Sequence, residues 1–266
     1  MSRRMRLDTE LVRRGLARSR EQAAELIAAG QVAVAGQVAG KAATQVGHEA
    51  AIVIRGGGAA SEYASRGGRK LEGALAAFAG LEVGGRRCLD AGASAGGFTD
   101  VLLRHGAAQV VAADVGYGQL AWQLRTDPRV RVLDRVNVRK LLPEQVAPAP
   151  DLVTADLSFI SLVPVLPALV ACAAPDADFV LLIKPQFEVG RGRVGARGVV
   201  RKPELRESAV AGVAAAALEL GLGARGVVAS QLPGPSGNVE FFLWLRRGAP
   251  PLDRAALKRA ITEGPQ

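Results

Sequence analysis

Short apolar runs alternate with glycine-containing turns and helical stretches from Gly85 onward. Each run has the length of a buried strand, and one notable stretch, residues 203–220, has the length of a helix. We predict strands at residues 87–90, 109–114, 130–133, 152–155, 179–183, 226–230 and 241–245. Because strands alternate with helices, the pattern predicts an α/β fold with a mostly parallel, doubly wound, Rossmann-like sheet. Sheets of this kind bind ligands at the carboxyl ends of their strands.

The first sixty residues have the pattern of a small α+β domain. One helix is predicted from Leu7 up to Gly15, and a second runs from Ser19 until Gly30 ends it. Alternating residues predict strands at 31–36 and 51–54. We therefore divide the chain into an N-terminal domain (1–60), an interdomain linker (61–69), a larger domain (70–248) and a C-terminal helix and tail (249–266).

Positive charge is concentrated at the beginning of the chain. The formal net charge of the 266 residues is +9, and the first twenty contain seven arginines against two carboxylates, Asp8 and Glu10. Guanidinium groups pair bidentately with phosphate, so this cluster favours a polyanionic partner. A solvated basic helix is the alternative interpretation.

Cysteine and histidine are too few for a disulfide framework or a zinc site. The two cysteines, Cys88 and Cys172, lie in apolar runs and are expected to be buried thiols, and we predict no metal. The longest uncharged stretch, residues 157–175, is interrupted by serine and proline, so we expect a strand end and a buried helix there. We expect a soluble, cytoplasmic protein that does not associate with membranes.

A glycine-rich turn after the first large-domain strand predicts a nucleoside site. The segment Asp90-Ala-Gly-Ala-Ser-Ala-Gly-Gly97 opens a helix, and Asp114 ends the next strand, where a carboxylate can accept ribose hydroxyls. The glycines do not match GxGxxG, which favours S-adenosylmethionine over a dinucleotide; a purely structural turn is the alternative. The candidate cofactor-binding residues are Asp90, Gly92, Ala93, Ser94, Gly96, Gly97, Phe98, Thr99, Asp114, Asp134, Asn137 and Asp156.

Four charged residues lie at the ends of predicted elements and are the candidate catalytic group: Lys70, Asp156, Lys184 and Glu240. Any one of them alone is more often a salt-bridge residue, but four charged residues at corresponding ends of predicted elements favour a catalytic role. A ribose hydroxyl is a weak nucleophile, so Lys184 would accept its proton or orient it, and the acids would position the lysines. The segment Asp156-Leu-Ser-Phe159 lacks the Asn/Asp-Pro-Pro-aromatic clamp typical of base-amine methylation, which favours a hydroxyl acceptor.

These motifs resemble the TlyA family of ribosomal RNA 2′-O-methyltransferases along nearly the whole chain. Residues 1–60 resemble an S4 RNA-binding domain, and the remainder is similar to the FtsJ-like, class I methyltransferase fold. The matching signatures are Ser65-Arg-Gly-Gly-Arg-Lys-Leu71, Cys88-Leu-Asp-Ala-Gly-Ala-Ser94, Asp156-Leu-Ser-Phe-Ile-Ser-Leu162, Lys184-Pro-Gln-Phe-Glu188 and Gly234-Pro-Ser-Gly-Asn-Val-Glu240. The family commonly has Thr where Ala95 stands, and Trp-Val-Ser where this chain has Tyr63-Ala-Ser65.

The resemblance implies that the four candidate catalytic residues form a Lys-Asp-Lys-Glu tetrad. It also implies S-adenosylmethionine-dependent methylation of cytidine ribose in small- and large-subunit ribosomal RNA, which sensitises ribosomes to capreomycin. The expected partners are ribosomal RNA and ribosomal subunits, and we expect a monomer. The candidate RNA-binding residues are Arg4, Arg6, Arg14, Arg18, Arg20, Arg66 and Lys70.

Three other functions are compatible with parts of the pattern. A nicotinamide-dependent oxidoreductase would share the sheet, but the broken glycine pattern and the basic N-terminal domain disfavour it. A non-catalytic ribosome-assembly factor would need only the S4-like domain, and a complete tetrad disfavours it. A pore-forming haemolysin, a label that family members often carry, would need a membrane-inserting segment.

Overall fold

The computed structural model describes residues 4–14, 16–17, 19–28, 30–47, 50, 52–54, 63–195, 198–234 and 236–264. The chain divides into two compact units, residues 1–62 and 63–266. Residues 55–62, which include the first two residues of the predicted linker, lie outside the described residues.

The N-terminal unit packs two helices against two small antiparallel sheets. Its elements are β1 (Arg4–Arg6), α1 (Leu7–Arg13), α2 (Arg20–Ala28), β2 (Val32–Val34), β3 (Gln37–Val38), β4 (Gln45–Gly47) and β5 (Ile52–Ile54). Strand β1 pairs with β4, and β2 lies between β3 and β5. Leu7, Leu11 and Ile27 form its core with Val32 and Val46. Both predicted helices and both predicted strands are present, whereas β1, β3 and β4 were not predicted.

The larger unit is built on seven strands. They are β6 (Arg87–Ala91), β7 (Gln109–Ala113), β8 (Val130–Leu133), β9 (Leu152–Ala155), β10 (Asp178–Ile183), β11 (Leu222–Ala229) and β12 (Phe241–Arg247). Its α-helices are α3 (Arg66–Ala77), α4 (Gly97–Arg104), α5 (Trp122–Arg125), α6 (Pro143–Val146), α7 (Leu166–Cys172), α8 (Pro185–Glu188), α9 (Pro203–Glu219) and α10 (Arg254–Glu263). Short 3₁₀ turns lie at Val138–Lys140 and Arg191–Arg193.

The strand order is β11-β12-β10-β9-β6-β7-β8. Strands β6 to β10 are parallel to one another, whereas β12 runs antiparallel to both β10 and β11. All seven predicted strands are therefore present, and the mostly parallel sheet is confirmed. The direction of β12 was not predicted, because a strand buried on both faces reads as an apolar run whichever way it points.

The two faces of the sheet carry two hydrophobic clusters. Along β10, Leu181 and Ile183 belong to one cluster, and Val180 and Leu182 belong to the other. The first cluster also contains the inner side of α10, which packs on β11 and α9. The C-terminal helix is thus part of the core of the larger unit. We predicted that the larger domain begins at residue 70, and this residue lies inside helix α3.

The uncharged stretch 157–175 contains α7, as predicted, and no helix of the described residues is long and apolar enough to cross a membrane. Both cysteines are buried free thiols, also as predicted. Burial raises the pKa of Cys88 to about 12 and that of Cys172 to about 11. Within the described ranges, no group of three or more His, Cys, Asp or Glu side chains is arranged to hold a metal ion.

Candidate active site

The loop between β6 and α4 has a backbone that only small residues can follow. Gly92 has φ +87°, and a Cβ there would lie 2.5 Å from the backbone oxygen of Asp156. Gly96 has φ +97° and stands directly before α4. A Cβ on Gly97 would overlap Ser65 Oγ, and Ala93 is buried. The predicted glycine loop therefore brings the ends of β6 and β9 and the beginning of α3 into close contact.

Asp90 is a buried carboxylate with one acceptor left open beneath this loop. Thr99 Oγ1 donates to Asp90 Oδ2 at 2.6 Å, while Oδ1 has no hydrogen-bond partner among the described residues. Burial raises the pKa of Asp90 to about 7. A buried acceptor without a donor is costly. The arrangement suits a cationic ligand that would approach the loop. Phe98, which precedes Thr99 on α4, is buried, and its ring packs against that of Phe242.

Asp114 follows β7 and is fixed by the glycine loop itself. Its Oδ2 accepts from Ser94 N at 2.8 Å, and its Oδ1 accepts from Gly116 N at 2.7 Å. A carboxylate oxygen has two acceptor sites, so each oxygen retains one for a ribose hydroxyl. The structure thus brings Asp114 beside the loop, as predicted from the spacing.

The two candidate residues after β8 make local contacts. Asp134 accepts from Arg125 Nη2 at 2.7 Å and from Gly118 N at 3.3 Å. Asn137 caps the following 3₁₀ turn by accepting from Arg139 N at 3.1 Å. Both contacts shape the edge of the sheet beside β8; a contact with adenine stays a prediction for these two residues.

Lys184 and Asp156 meet at the ends of two neighbouring strands. Asp156 directly follows β9 and Lys184 directly follows β10, which pair in parallel. Lys184 Nζ lies 2.5 Å from Asp156 Oδ1 and donates to Ser158 Oγ at 2.9 Å. Lys184 is 8% exposed, so its ammonium is desolvated between these two partners.

Lys70 and Glu240 form a second, deeper pair. Lys70 Nζ donates to Glu240 Oε2 at 2.6 Å, and the two residues are 7% and 1% exposed. Glu240 Oε1 has no partner among the described residues. Strand β12 is antiparallel to β10, and Ile183 at the end of β10 pairs with Phe241 at the beginning of β12. Glu240, just before β12, therefore stands beside Lys184, just after β10. This second pair therefore lies at the same edge of the sheet as the first.

Helix α3 connects the two pairs. Gly67 lies one turn before Lys70, and a Cβ built on Gly67 would be 3.7 Å from Asp156 Oδ2. Ser65 caps α3, where it accepts from Gly67 N at 3.3 Å. The four candidate catalytic residues, which the sequence places on four separate segments, converge next to the loop of Gly92.

We assigned no role from the sequence to three residues that shape the site. Ser158 accepts from Lys184, as described above. Glu188 accepts from Ser161 Oγ at 2.5 Å and from Leu162 N at 2.8 Å, which ties α8 to the segment after Asp156. Phe159 is 92% exposed at φ +66°, with its ring 5.5 Å from Phe187. All of them lie within the two signatures 156–162 and 184–188, so the sequence signal was present.

The residues at the beginning of the larger unit are held by α3 and α4. Tyr63 donates its hydroxyl to Glu72 Oε2 at 3.0 Å, and the Arg104 guanidinium lies 4.9 Å from the centre of the Tyr63 ring. Ala64 N donates to Asp100 Oδ2 at 2.7 Å. Tyrosine therefore occupies a packed position where the family commonly has tryptophan.

In the N-terminal unit, two buried carboxylates organise the arginines. Asp8 accepts from Arg6 and Arg20, and Glu10 accepts from Arg13 and Arg14. These hydrogen bonds hold the pKa of both carboxyls well below the usual range, against the effect of burial. From the sequence alone, these two acids were considered only as negative charges that reduce the local excess of positive charge.

The other candidate RNA-binding residues differ in exposure. Arg66 is exposed at the beginning of α3, whereas Lys70 is buried in its pair with Glu240. Arg14 also donates to the backbone oxygen of Ala50 at 2.8 Å. Arg18 and the side chain of Arg4 lie outside the described residues.

Known proteins resemble both units. The sequence pattern of the FtsJ-like methyltransferase family matches residues 63–247, and that of the S4 domain matches residues 5–52. Over 273 residues and 100% of both chains, the sequence is 61% identical to the 16S/23S rRNA (cytidine-2'-O)-methyltransferase TlyA of Mycobacterium tuberculosis.

Solved structures agree with this relationship. One described as a hemolysin from Streptococcus thermophilus covers 99% of this chain and 96% of its own, with TM-score 0.76 and 36% identity. One from Listeria monocytogenes, described as an S-adenosylmethionine-dependent methyltransferase, covers 69% of this chain and 99% of its own. Its TM-score of 0.52 and identity of 13% indicate a shared fold.

The sheet order and the glycine loop define a Rossmann-like class I methyltransferase, preceded by an S4 domain. The methyl donor of this class is S-adenosylmethionine, and the open acceptor on Asp90 fits its cationic end. Because the match covers most of the chain and extends over the full length of TlyA, the chain belongs to the TlyA family of FtsJ-like methyltransferases. It is therefore an S-adenosylmethionine-dependent enzyme, and the oxidoreductase alternative is excluded.

Proposed function

We propose that this enzyme methylates the 2′-hydroxyl of cytidine in ribosomal RNA, with Lys70, Asp156, Lys184 and Glu240 as the catalytic group. The observation that carries this proposal is the convergence of the Lys184–Asp156 and Lys70–Glu240 pairs beside the Gly92 loop. Two buried cation–carboxylate pairs are expensive to assemble, and a fold keeps such a group where it performs chemistry.

Lys184 would act directly on the acceptor. Lys184 Nζ donates to Ser158 Oγ and forms an ion pair with Asp156, so it keeps capacity for a further contact with the oxygen of a ribose hydroxyl. That contact orients the oxygen for in-line attack. To take up the hydroxyl proton, Lys184 would act in its neutral amine form, whose lone pair accepts the proton as the methyl–oxygen bond forms and the methyl–sulfur bond of the donor breaks. When bound, S-adenosylmethionine supplies an electrophilic methyl group on a sulfonium.

The other residues have positioning and binding roles in this proposal. Asp156 holds Lys184, and Glu240 holds Lys70 at the same edge of the sheet. The Gly92 loop with Asp90 and Asp114 would hold the cofactor. A hydroxyl acceptor is favoured over a base amine because the segment 156–159 has no proline clamp.

Three observations support ribosomal RNA as the substrate. TlyA of Mycobacterium tuberculosis is named for cytidine-2′-O methylation of 16S and 23S rRNA, and it is 61% identical to this chain. An S4 domain pattern covers residues 5–52. Exposed guanidinium groups in that unit provide the positive charge that RNA binding requires.

The test is methyl transfer from labelled S-adenosylmethionine to isolated small and large ribosomal subunits that lack the modification. We expect label in the RNA of both subunits, at cytidine 2′-oxygens when the sites are mapped. Label on a base, or on protein, would contradict the proposed acceptor. RNA binding without any transfer would instead support a non-catalytic assembly factor.

Further properties of the family belong to the same proposal. We expect the enzyme to act as a monomer in the cytoplasm, and cells without it to be less sensitive to capreomycin. Comparing drug sensitivity and 2′-O-methyl maps in cells with and without the gene tests both the substrate and the antibiotic link.

A further inference from the structure

Asp8 is a buried carboxylate of the N-terminal unit that accepts several hydrogen bonds. Its Oδ1 accepts from Arg6 Nε at 3.0 Å and from Thr9 N at 2.8 Å. Its Oδ2 accepts from Arg6 Nη2 at 2.8 Å and from Arg20 Nη2 at 3.0 Å. The Asp8 side chain is only 5% exposed. It is therefore saturated and buried, and it has no capacity to contact a ligand itself.

The two arginines on Asp8 remain open to solvent. The side chains of Arg6 and Arg20 are 44% and 61% exposed. Each guanidinium uses its Nε and Nη2 edge on Asp8, which leaves the Nη1 groups without a partner in the described part of the chain. Arg6 ends β1 and Arg20 begins α2, so one carboxylate joins two separate elements.

The neighbouring carboxylate, Glu10, holds one of its two arginines inward. Arg14 is 22% exposed and donates to the backbone oxygen of Ala50, whereas Arg13 is 41% exposed. The Arg14 pairing therefore supports the packing of the unit. The Asp8 pairings leave two cationic edges facing outward, which is the arrangement that a phosphate group recognises.

We propose that Asp8 is a positioning residue for RNA binding: it holds Arg6 and Arg20 as a rigid two-arginine fork that grips backbone phosphate. The inference rests on the proposed function, since it assumes that the N-terminal unit binds RNA. It adds that a negatively charged residue, which repels RNA by charge alone, strengthens binding.

The physical reason is preorganisation. A free arginine side chain has many rotamers, and ordering it at a phosphate costs conformational entropy. Asp8 orders both side chains when the protein folds, so the cost is met before RNA arrives. Removing the Asp8 charge therefore has two opposite consequences: the net positive charge increases, and the fork loses its fixed geometry.

The experiment measures the affinity of the full-length protein for unmodified ribosomal RNA over a series of salt concentrations. Asp8→Asn keeps the size of the side chain but weakens its hold on two guanidiniums. Glu21→Gln removes an equal charge from an exposed residue next to Arg20 and is the matched control. We expect Asp8→Asn to bind about tenfold more weakly and Glu21→Gln to bind as tightly as wild type or more so.

A double-mutant cycle separates the fork from charge. Arg20→Lys keeps the charge but cannot make the bidentate contact with Asp8, so it should weaken binding in the wild-type background. The same change in the Asp8→Asn background should cost much less, because the fork is already lost. Equal costs in both backgrounds would contradict the proposal, as would an Asp8→Asn variant that binds as tightly as wild type.

Folding and function are monitored independently. If Asp8→Asn unfolds the N-terminal unit, a measurement on the wild-type protein still tests the proposal. In its NMR spectrum, the Nε–H signals of Arg6 and Arg20 should be resolved and protected from exchange before RNA is added. Their appearance only with RNA would overturn preorganisation. Wild-type protein that neither binds nor methylates ribosomal RNA would refute the proposed function instead, whatever the state of the fork.

Discussion

Lys70 Nζ lies 2.6 Å from Glu240 Oε2, although the two residues are 170 positions apart in the chain. Both are almost fully buried, so each neutralises a charge that would otherwise be stranded in the core. The pair also joins α3 to the beginning of β12, the one strand of the sheet that runs against the parallel strands. The stability of this region and the geometry of the site therefore depend on the same contact.

Replacing Glu240 with Ala should destabilise the larger unit by about 3–5 kcal/mol, because Lys70 is left buried without a counter-charge. Both tryptophans lie in this unit, so their fluorescence during denaturation reports on it alone. Replacing both residues, as Lys70→Met with Glu240→Leu, should recover most of the stability without recovering activity. A single variant as stable as wild type would mean that the pair is not desolvated in solution.

Replacing Lys184 with Ala should abolish methyl transfer while leaving cofactor affinity largely intact. Loss of a group that moves a proton typically lowers the rate by about 10²–10⁴-fold. Single-turnover transfer to ribosomal subunits gives the rate, and calorimetry with S-adenosylmethionine gives the affinity. Asp114→Ala is the contrasting variant, and its cofactor affinity should fall first. Near-normal turnover in Lys184→Ala would refute its role as proton acceptor.

Cofactor affinity should increase as the pH rises through about 7. Burial raises the pKa of Asp90 from 3.8 to about 7, so the carboxyl is neutral below that pH and ionised above it. Only the ionised form attracts a cationic ligand. The folding stability of the ligand-free protein depends on pH in the opposite direction. The folded state binds this proton more tightly than the unfolded state does, so the contribution of Asp90 to the free energy of unfolding decreases as the pH rises from about 4 to about 7.

Binding of S-adenosylmethionine measured across this pH range, with Asp90→Asn as the control, checks the prediction. The variant cannot ionise at this position, so its affinity should be lower at high pH and should not follow the same transition. A wild-type profile that matches that of Asp90→Asn would exclude Asp90 from cofactor binding.

The N-terminal unit should be the part of the protein most sensitive to acid. Arginine hydrogen bonds lower the pKa of both Asp8 and Glu10 from ordinary values of 3.8 and 4.5. Their stabilising effect is therefore complete above those ordinary values and is lost as the pH falls through the lowered ones. Hydrogen exchange of residues 4–54, compared with tryptophan fluorescence for the larger unit, should record loss of the N-terminal unit first.

Asp8→Asn and Glu10→Gln should each reduce this acid sensitivity, since neither amide titrates. If both units lose protection together at the same pH in wild type and in the variants, the acid transition does not originate from these two carboxylates.

The order of strands and helices was determined by the sequence itself. Residues 152–155 coincide with β9, because a buried parallel strand is a short, mostly apolar run that turns interrupt. The glycine loop and its partner Asp114 were also readable, since close backbone approach requires glycine at a recognisable spacing. The four catalytic candidates were also readable from their positions at the ends of predicted elements, and the family resemblance implied that they form one group.

Only the tertiary structure decided which of these residues meet. Nothing local to Lys70 indicates that it pairs with Glu240, or that Lys184 also donates to Ser158, because these contacts depend on strand order and on the direction of β12. The same holds for Asp8 and Glu10, which appear in the sequence as two charges among seven arginines. Side-chain pairing across elements is a property of three-dimensional packing, and a linear pattern of polarity contains the elements but not their contacts.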